Sequence, residues 1–149
     1  AVTTHLRFGP KVFSPLIEPG KADLLIAFEK IEALRFAHYL RPGGAMVVNA
    51  QEIFPPSVAT GQERYPEDVA ERLRAVTGRL YLVDALAAAL SMREVRAVNM
   101  VMVGAASHFL PLPEGAYEEA LKARMPEKIV AVNVAAFHAG RAMIAPTGA

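Results

Sequence analysis

Hydrophobic positions change their spacing several times along the chain. Residues Val2–Phe8 alternate loosely and are rich in β-formers, which predicts a strand. Gly9-Pro10-Lys11 is a turn signal, and Val12–Ile17 reads as a returning edge strand interrupted by Pro15. With Pro19-Gly20 as a second turn, the opening predicts a hairpin. Ala22–Phe28 is a continuous apolar run, the pattern of a strand covered on both faces in a parallel sheet. Ile31–Leu40 reads as a helix stopped by Pro42-Gly43-Gly44, and Ala45–Asn49 as a second buried strand, which makes a βαβ unit. Gln51–Arg64 reads as a surface loop. Tyr65–Gly78 then carries helix signals at both ends: Pro66 at its first position, acidic Glu67 and Asp68, an apolar stripe of Val69, Leu73 and Val76, and Gly78 suited to a left-handed stop.

Leu80–Val83 is a third buried strand, ending at Asp84. Helices follow. Ala85–Ser91 is alanine-rich. Glu94–Ser107 is apolar nearly all round, so periodicity fits a buried helix or a strand, and its length favours helix. Leu110-Pro111-Leu112-Pro113 is an extended connector before helices at Gly115–Met125 and Pro126–Gly140. In the last of these Ile129, Val132, Ala136 and Gly140 lie near one face, where small residues permit close helix approach. The expected fold is one α/β domain over 1–149, three-layered and Rossmann-like, with a short, mostly parallel sheet between helices. That sheet is thin for so much helix, and the chain opens directly on a predicted strand. Both features suggest that part of the domain is absent or supplied by a partner. An uncovered sheet edge would bring self-association or marginal stability.

Composition narrows function mainly by exclusion. With 53% apolar residues the chain has material for a full core. A net charge of +1, scattered basic residues and no Trp argue against nucleic acid and acidic membranes as partners. The longest apolar runs fall far short of a membrane span, and polar residues break any signal-peptide pattern at the start. There is no cysteine, so the chain offers no thiolate for an iron–sulfur cluster, disulfide or nucleophile, which fits a reducing cytoplasm. No G-x-S-x-G, G-x-G-x-x-G, P-loop or paired-His spacing is present, and His5, His38, His108 and His138 sit in different elements. No catalytic residue and no metal ligand emerges. The carboxyl ends of the predicted strands, where open α/β sheets bind ligands, carry Glu29, Asn49 with Gln51, and Asp84. Each could equally cap a helix or satisfy a loop. Asn99 and Asn133 stand inside apolar helical runs and read as structural or interface amides.

Several phrases occur together in a familiar order: THLRFGPKVFSPLIEPGKADLLIAFEKIEALR, PGG with MVVNAQEI, YLVDALAAA, RAVNMVMVGAAS, LPLP and VAVNVAAFHAGR. From residue 1 to about 141 the chain resembles the gamma-type domain of pyruvate and related 2-oxoacid:ferredoxin oxidoreductases. It looks most like the beta subunits of the indolepyruvate branch. The resemblance makes RAVNMVMVGAAS a helix. It departs from the family at the start, where a strand, a Gly-rich loop and a helix are usual, and at Ser91-Met92-Arg93, where a Gly-containing break is usual.

What the resemblance implies is an accessory subunit. The assembly would oxidatively decarboxylate an aryl 2-oxoacid, with thiamine diphosphate and iron–sulfur clusters on a large alpha subunit, coenzyme A as co-substrate and ferredoxin as an indirect partner. Glu29, Glu32, Arg35, Asn49 and Asp84 are the expected partner-facing or ligand-facing residues. The usual Gly-rich loop is absent, so the isolated chain is expected to bind coenzyme A poorly. The alternatives are a self-sufficient nucleotide- or coenzyme A-binding α/β module, and a folded remnant that no longer assembles.

Overall fold

The computed structural model describes residues 2–145. Three parallel strands, β1 (Ala22–Ala27), β2 (Leu40–Asn49) and β3 (Leu80–Val83), lie in the order β1-β2-β3. Helices α1 (Lys30–Phe36) and α3 (Val69–Val76) connect them, with a short helix α2 (Pro56–Ala59) in the second connection. After β3 come α4 (Ala85–Ser91), α5 (Val98–Ala106), α6 (Glu114–Arg124) and α7 (Glu127–Ala142).

Alternation along β2 divides the core. Met46 and Val48 pack with Ala33, Val69 and Leu73 beneath α1 and α3. Val47 faces the other way, into a cluster of Val83, Ala85, Val101, Met102 and Ala136 beneath α4, α5 and α7. The central strand is covered on both faces, so its apolar run does not alternate with polar residues. This is the expected three-layer α/β architecture.

The close helix approach foreseen at Gly140 is the tightest contact in the second layer. A Cβ built on Gly140 would overlap the Val101 carbonyl oxygen, and one built on Gly104 would overlap that of Phe137. The backbones of α5 and α7 therefore touch at two reciprocal glycines. Of Glu94–Ser107, all but the capping Glu94 is helical, as short 3-10 turns flank α5.

Four expectations need correction. The opening hairpin does not form: residues 2–17 enter no strand. Side chains instead satisfy that backbone, with Arg7 Nη1 donating to the Ser14 and Leu16 carbonyls (2.8 and 3.2 Å) and His5 Nδ1 accepting from Ile17 N (3.0 Å). The first helix ends at Phe36 and a 3-10 turn leads straight into β2. Pro42-Gly43-Gly44 lies within that strand, where the register with β1 slips between Ala22↔Leu40 and Leu24↔Ala45. Gly43 supplies the left-handed φ of +76° there. The third helix begins at Val69, three residues beyond Pro66, and Val76 is exposed. Gly78 is not left-handed; α3 is instead stopped by buried Thr77, whose hydroxyl donates to the Gly44 carbonyl (2.7 Å) and accepts from Arg79 N (3.0 Å).

Candidate functional site

The carboxyl ends of β1 and β2 bring two buried polar side chains together with their partners. Glu29 follows β1 and is only 6% exposed. Its Oε2 accepts from Glu32 N (3.0 Å), so the carboxylate caps α1, as a negative group at a helix start should. Its Oε1 accepts from the Tyr65 hydroxyl. Burial, reinforced by that bond and by the Glu29 charge, pushes the Tyr65 hydroxyl far above its ordinary range. Tyr65 is thus a proton donor across the neutral range and is no base.

Asn49 ends β2 and is 1% exposed. Its Nδ2 donates to the Phe28 carbonyl (3.3 Å) and to Gln51 Oε1 (3.2 Å), which joins the ends of the two strands. Among the described residues its Oδ1 has no hydrogen-bond partner. Around this pair, Lys30 Nζ meets Glu52 Oε1 at 2.7 Å and lies 6.0 Å from the Tyr65 ring centre. Phe54 packs on the same ring at 5.5 Å.

The expected rim residues are therefore only partly brought together. Glu29 and Asn49 meet through Phe28, yet both are buried. Asp84 is exposed at the end of β3 and accepts from Ala87 N (3.1 Å), capping α4. Glu32 and Arg35 form a 2.9 Å ion pair along α1 with no link to the Asn49 end. Asn99 is exposed and accepts from Met100 N (2.8 Å), so it is no buried amide. Asn133 bonds the Ile129 carbonyl of its own helix (2.8 Å). Sequence reasoning missed Tyr65, Lys30 and Glu52. One signal was present: a carboxylate directly after a buried strand needs a donor, and a tyrosine at the start of the next connection can supply it.

The donor set is poor in metal and phosphate ligands. Among the described residues no three His, Asp or Glu side chains converge on a metal position. His138 lies between Glu114 (3.2 Å) and Glu118 (2.6 Å), while His108 Nε2 meets the Arg141 carbonyl (2.7 Å). The starts of α1 and α4 are filled by carboxylates, and Lys30 and Arg35 are both paired with acids. A phosphate would meet negative charge there. No helix of the described residues is long and apolar enough to cross a membrane.

Comparison with known proteins places this geometry. The indolepyruvate oxidoreductase subunit IorB of Archaeoglobus fulgidus is 39% identical over 144 residues, covering 94% of this chain and 71% of the relative. The fold is that of the gamma subunit of a keto/oxoacid ferredoxin oxidoreductase from Geobacter sulfurreducens, with a TM-score of 0.59 at 19% identity over 81% of this chain and 63% of the other. It also matches 20% of a chain of the 2-oxoglutarate:ferredoxin oxidoreductase from Magnetococcus marinus, with a TM-score of 0.57 at 23% identity over 84% of this chain. The family model for pyruvate ferredoxin/flavodoxin oxidoreductase matches residues 1–143, nearly every described residue, from the unpaired opening segment through the α5–α7 seam. The chain belongs to that family.

Proposed function

We propose that this chain is an accessory subunit of a 2-oxoacid:ferredoxin oxidoreductase of the indolepyruvate type, with no catalytic residue of its own. The similarity to an indolepyruvate oxidoreductase subunit along nearly the whole chain carries the reading. The chemistry of the residues supports it. A cysteine-free chain cannot hold a Cys-ligated iron–sulfur cluster, so the clusters belong to the large subunit. The same subunit holds thiamine diphosphate, which supplies the carbanion-stabilising chemistry of 2-oxoacid decarboxylation when bound. Electrons leave through ferredoxin, in the cytoplasm.

Coenzyme A is the co-substrate of the assembly. The carboxylate-capped ends of α1 and α4 disfavour its phosphates on this chain alone. That also counts against a self-sufficient nucleotide-binding module. The outer members of the rim, exposed Arg35 and Asp84 and half-buried Glu32, face the partner, while Glu29 and Asn49 hold the strand ends in shape beneath them.

Two measurements test the reading. Calorimetry of coenzyme A against the isolated chain should show no tight binding, and micromolar affinity would favour the module. Co-expression with the large subunit, comparing wild type with the double reversal Glu32→Arg and Arg35→Glu, tests the rim. Assembly and turnover both unchanged would remove it from the interface.

A further inference from the structure

Helix α6 is held to the domain differently from its neighbours. Of its eleven residues only Leu121 is buried. No α6 residue enters either hydrophobic cluster, whereas α5 and α7 meet backbone to backbone through Gly104 and Gly140. An apolar cleft of about 260 Å³ separates α5 from α6, with Met100 and Val103 on one side and Tyr117, Ala120 and Leu121 on the other. Among the described residues no backbone hydrogen bond links residues 111–125 to any other element. The connectors at both ends are extended, with ψ of 146° at Pro113 and 148° at Met125, which precedes Pro126. Proline has no N–H with which to fasten either one.

Side chains of α7 hold α6 in place. His138 Nε2 lies 2.6 Å from Glu118 Oε1, and its Nδ1 lies 3.2 Å from Glu114 Oε1. Arg141 Nε adds a 3.4 Å contact to Glu114 Oε2. The α7 half of this clasp is fixed, since Arg141 Nη1 donates to the Ser107 hydroxyl (2.8 Å) and the Arg141 carbonyl meets His108 Nε2 (2.7 Å). All four clasp side chains are partly exposed, so water screens their contacts. Nearby, Tyr117 stacks on the fully buried Phe137 ring at 4.7 Å. Its hydroxyl is buried with no hydrogen-bond partner among the described residues. Closing α6 therefore takes a polar group out of water without pairing it, which opposes the closed position. Little apolar burial and exposed polar contacts are the marks of an element that opens locally.

We infer that α6 is a flap, which swings away from the fixed α5–α7 pair and uncovers Leu121, Phe137 and the apolar cleft while the rest of the domain stays folded. The clasp to His138 and Arg141 favours the closed position, and the Tyr117 hydroxyl favours the open one.

Native-state hydrogen exchange of the full chain, followed residue by residue by NMR in low urea, tests the flap. After correction for intrinsic rates, α6 amides should exchange on the order of tenfold faster than those of α5 and α7. Their rates should depend little on urea, because a local opening exposes little surface. Tyr117→Phe keeps the ring stack and removes the unpartnered hydroxyl, so α6 exchange should slow on the order of fivefold. Glu118→Gln weakens the clasp and should speed it about threefold. Amides of α6 that share the rates and urea dependence of α5 and α7 would make α6 part of one cooperative body and overturn the flap. Faster α6 exchange in Tyr117→Phe would overturn it too, since the hydroxyl would then be holding the helix closed. Equal α6 rates in wild type and Glu118→Gln would overturn the clasp.

Discussion

Replacing Gly140 by alanine adds one methyl group where α7 lies against the backbone of α5. Non-bonded carbons rest roughly 3.5–4 Å apart. The added Cβ would stand 2.7 Å from the Val101 carbonyl carbon and 3.0 Å from its Cα. The helices therefore have to part by about 1 Å. No side chain can rotate away, because the obstacle is backbone. Parting them also loosens Val101, Met102 and Phe137, all fully buried. Overpacking costs about 1–3 kcal/mol, and an unyielding neighbour puts this case near the upper end. Alanine returns about 1 kcal/mol of helix propensity. The expected net loss is about 2 kcal/mol, a shift of about 1 M in the midpoint of urea unfolding followed by circular dichroism. Gly104→Ala should behave alike, and the double variant should lose less than the sum, since the helices part only once. Gly115→Ala in α6 is the control: its Cβ meets nothing within 4 Å, so the same chemistry should be neutral or stabilising. A Gly140→Ala chain as stable as Gly115→Ala would refute the close α5–α7 seam.

Arg93 has a left-handed φ of 57° after α4. It occupies a Schellman turn in which Glu94 N bonds the Ala89 carbonyl and Arg93 N that of Leu90 (3.1 and 2.9 Å). Left-handed backbone costs an L-residue roughly 1–2 kcal/mol, part of which glycine's chain entropy offsets. Arg93→Gly should thus raise the melting temperature by about 2 °C, and a lower one would contradict that strain. Tyr65→Phe removes one of the two bonds to the buried Glu29 carboxylate and should cost about 1.5–3 kcal/mol, read by urea unfolding. Burial also raises the Tyr117 hydroxyl, so two of the four tyrosines should resist ionisation in an ultraviolet pH titration until the chain unfolds. The sign follows from the raised values. Stability from these groups is present below the ordinary tyrosine range near 10 and is lost as pH rises above it. Four tyrosines titrating together near their ordinary value would contradict the buried environments.

What was legible in the sequence follows from where each signal arises. The strand at Ala45–Asn49 shows as an apolar run because helices cover both faces of β2, whereas the expected full burial fails for β1 and β3, which are sheet edges and leave Ile26 and Leu82 exposed. The Gly140 face of α7 was visible because a small residue on an apolar stripe has few uses other than close approach. The opening hairpin was misread because β-propensity records fit to a half-buried surface and not a backbone preference. In residues 2–17 that surface is missing, and Arg7 and His5 take the place of a ladder. Proline and glycine at 66 and 78 misled in the same manner. Thr77, through a bond to Gly44 33 positions away, stops α3 more firmly than local turn chemistry could. The rim was legible only as a set of strand-end residues. Which of them are buried caps and which face outward depends on long-range partners such as Tyr65, 36 positions from Glu29. Arg93 makes the left-handed turn after α4 without glycine, at the position where the sequence departs from the Gly-containing break that the resemblance leads one to expect.

The most direct test of the account is turnover by the reconstituted complex. The large subunit would be purified with and without this chain, and acyl-CoA formation and ferredoxin reduction followed with indolepyruvate, pyruvate and 2-oxoglutarate. The account predicts co-purification, turnover that requires both chains, and the highest kcat/KM on indolepyruvate. A large subunit fully active alone, or one that never retains this chain, would contradict it.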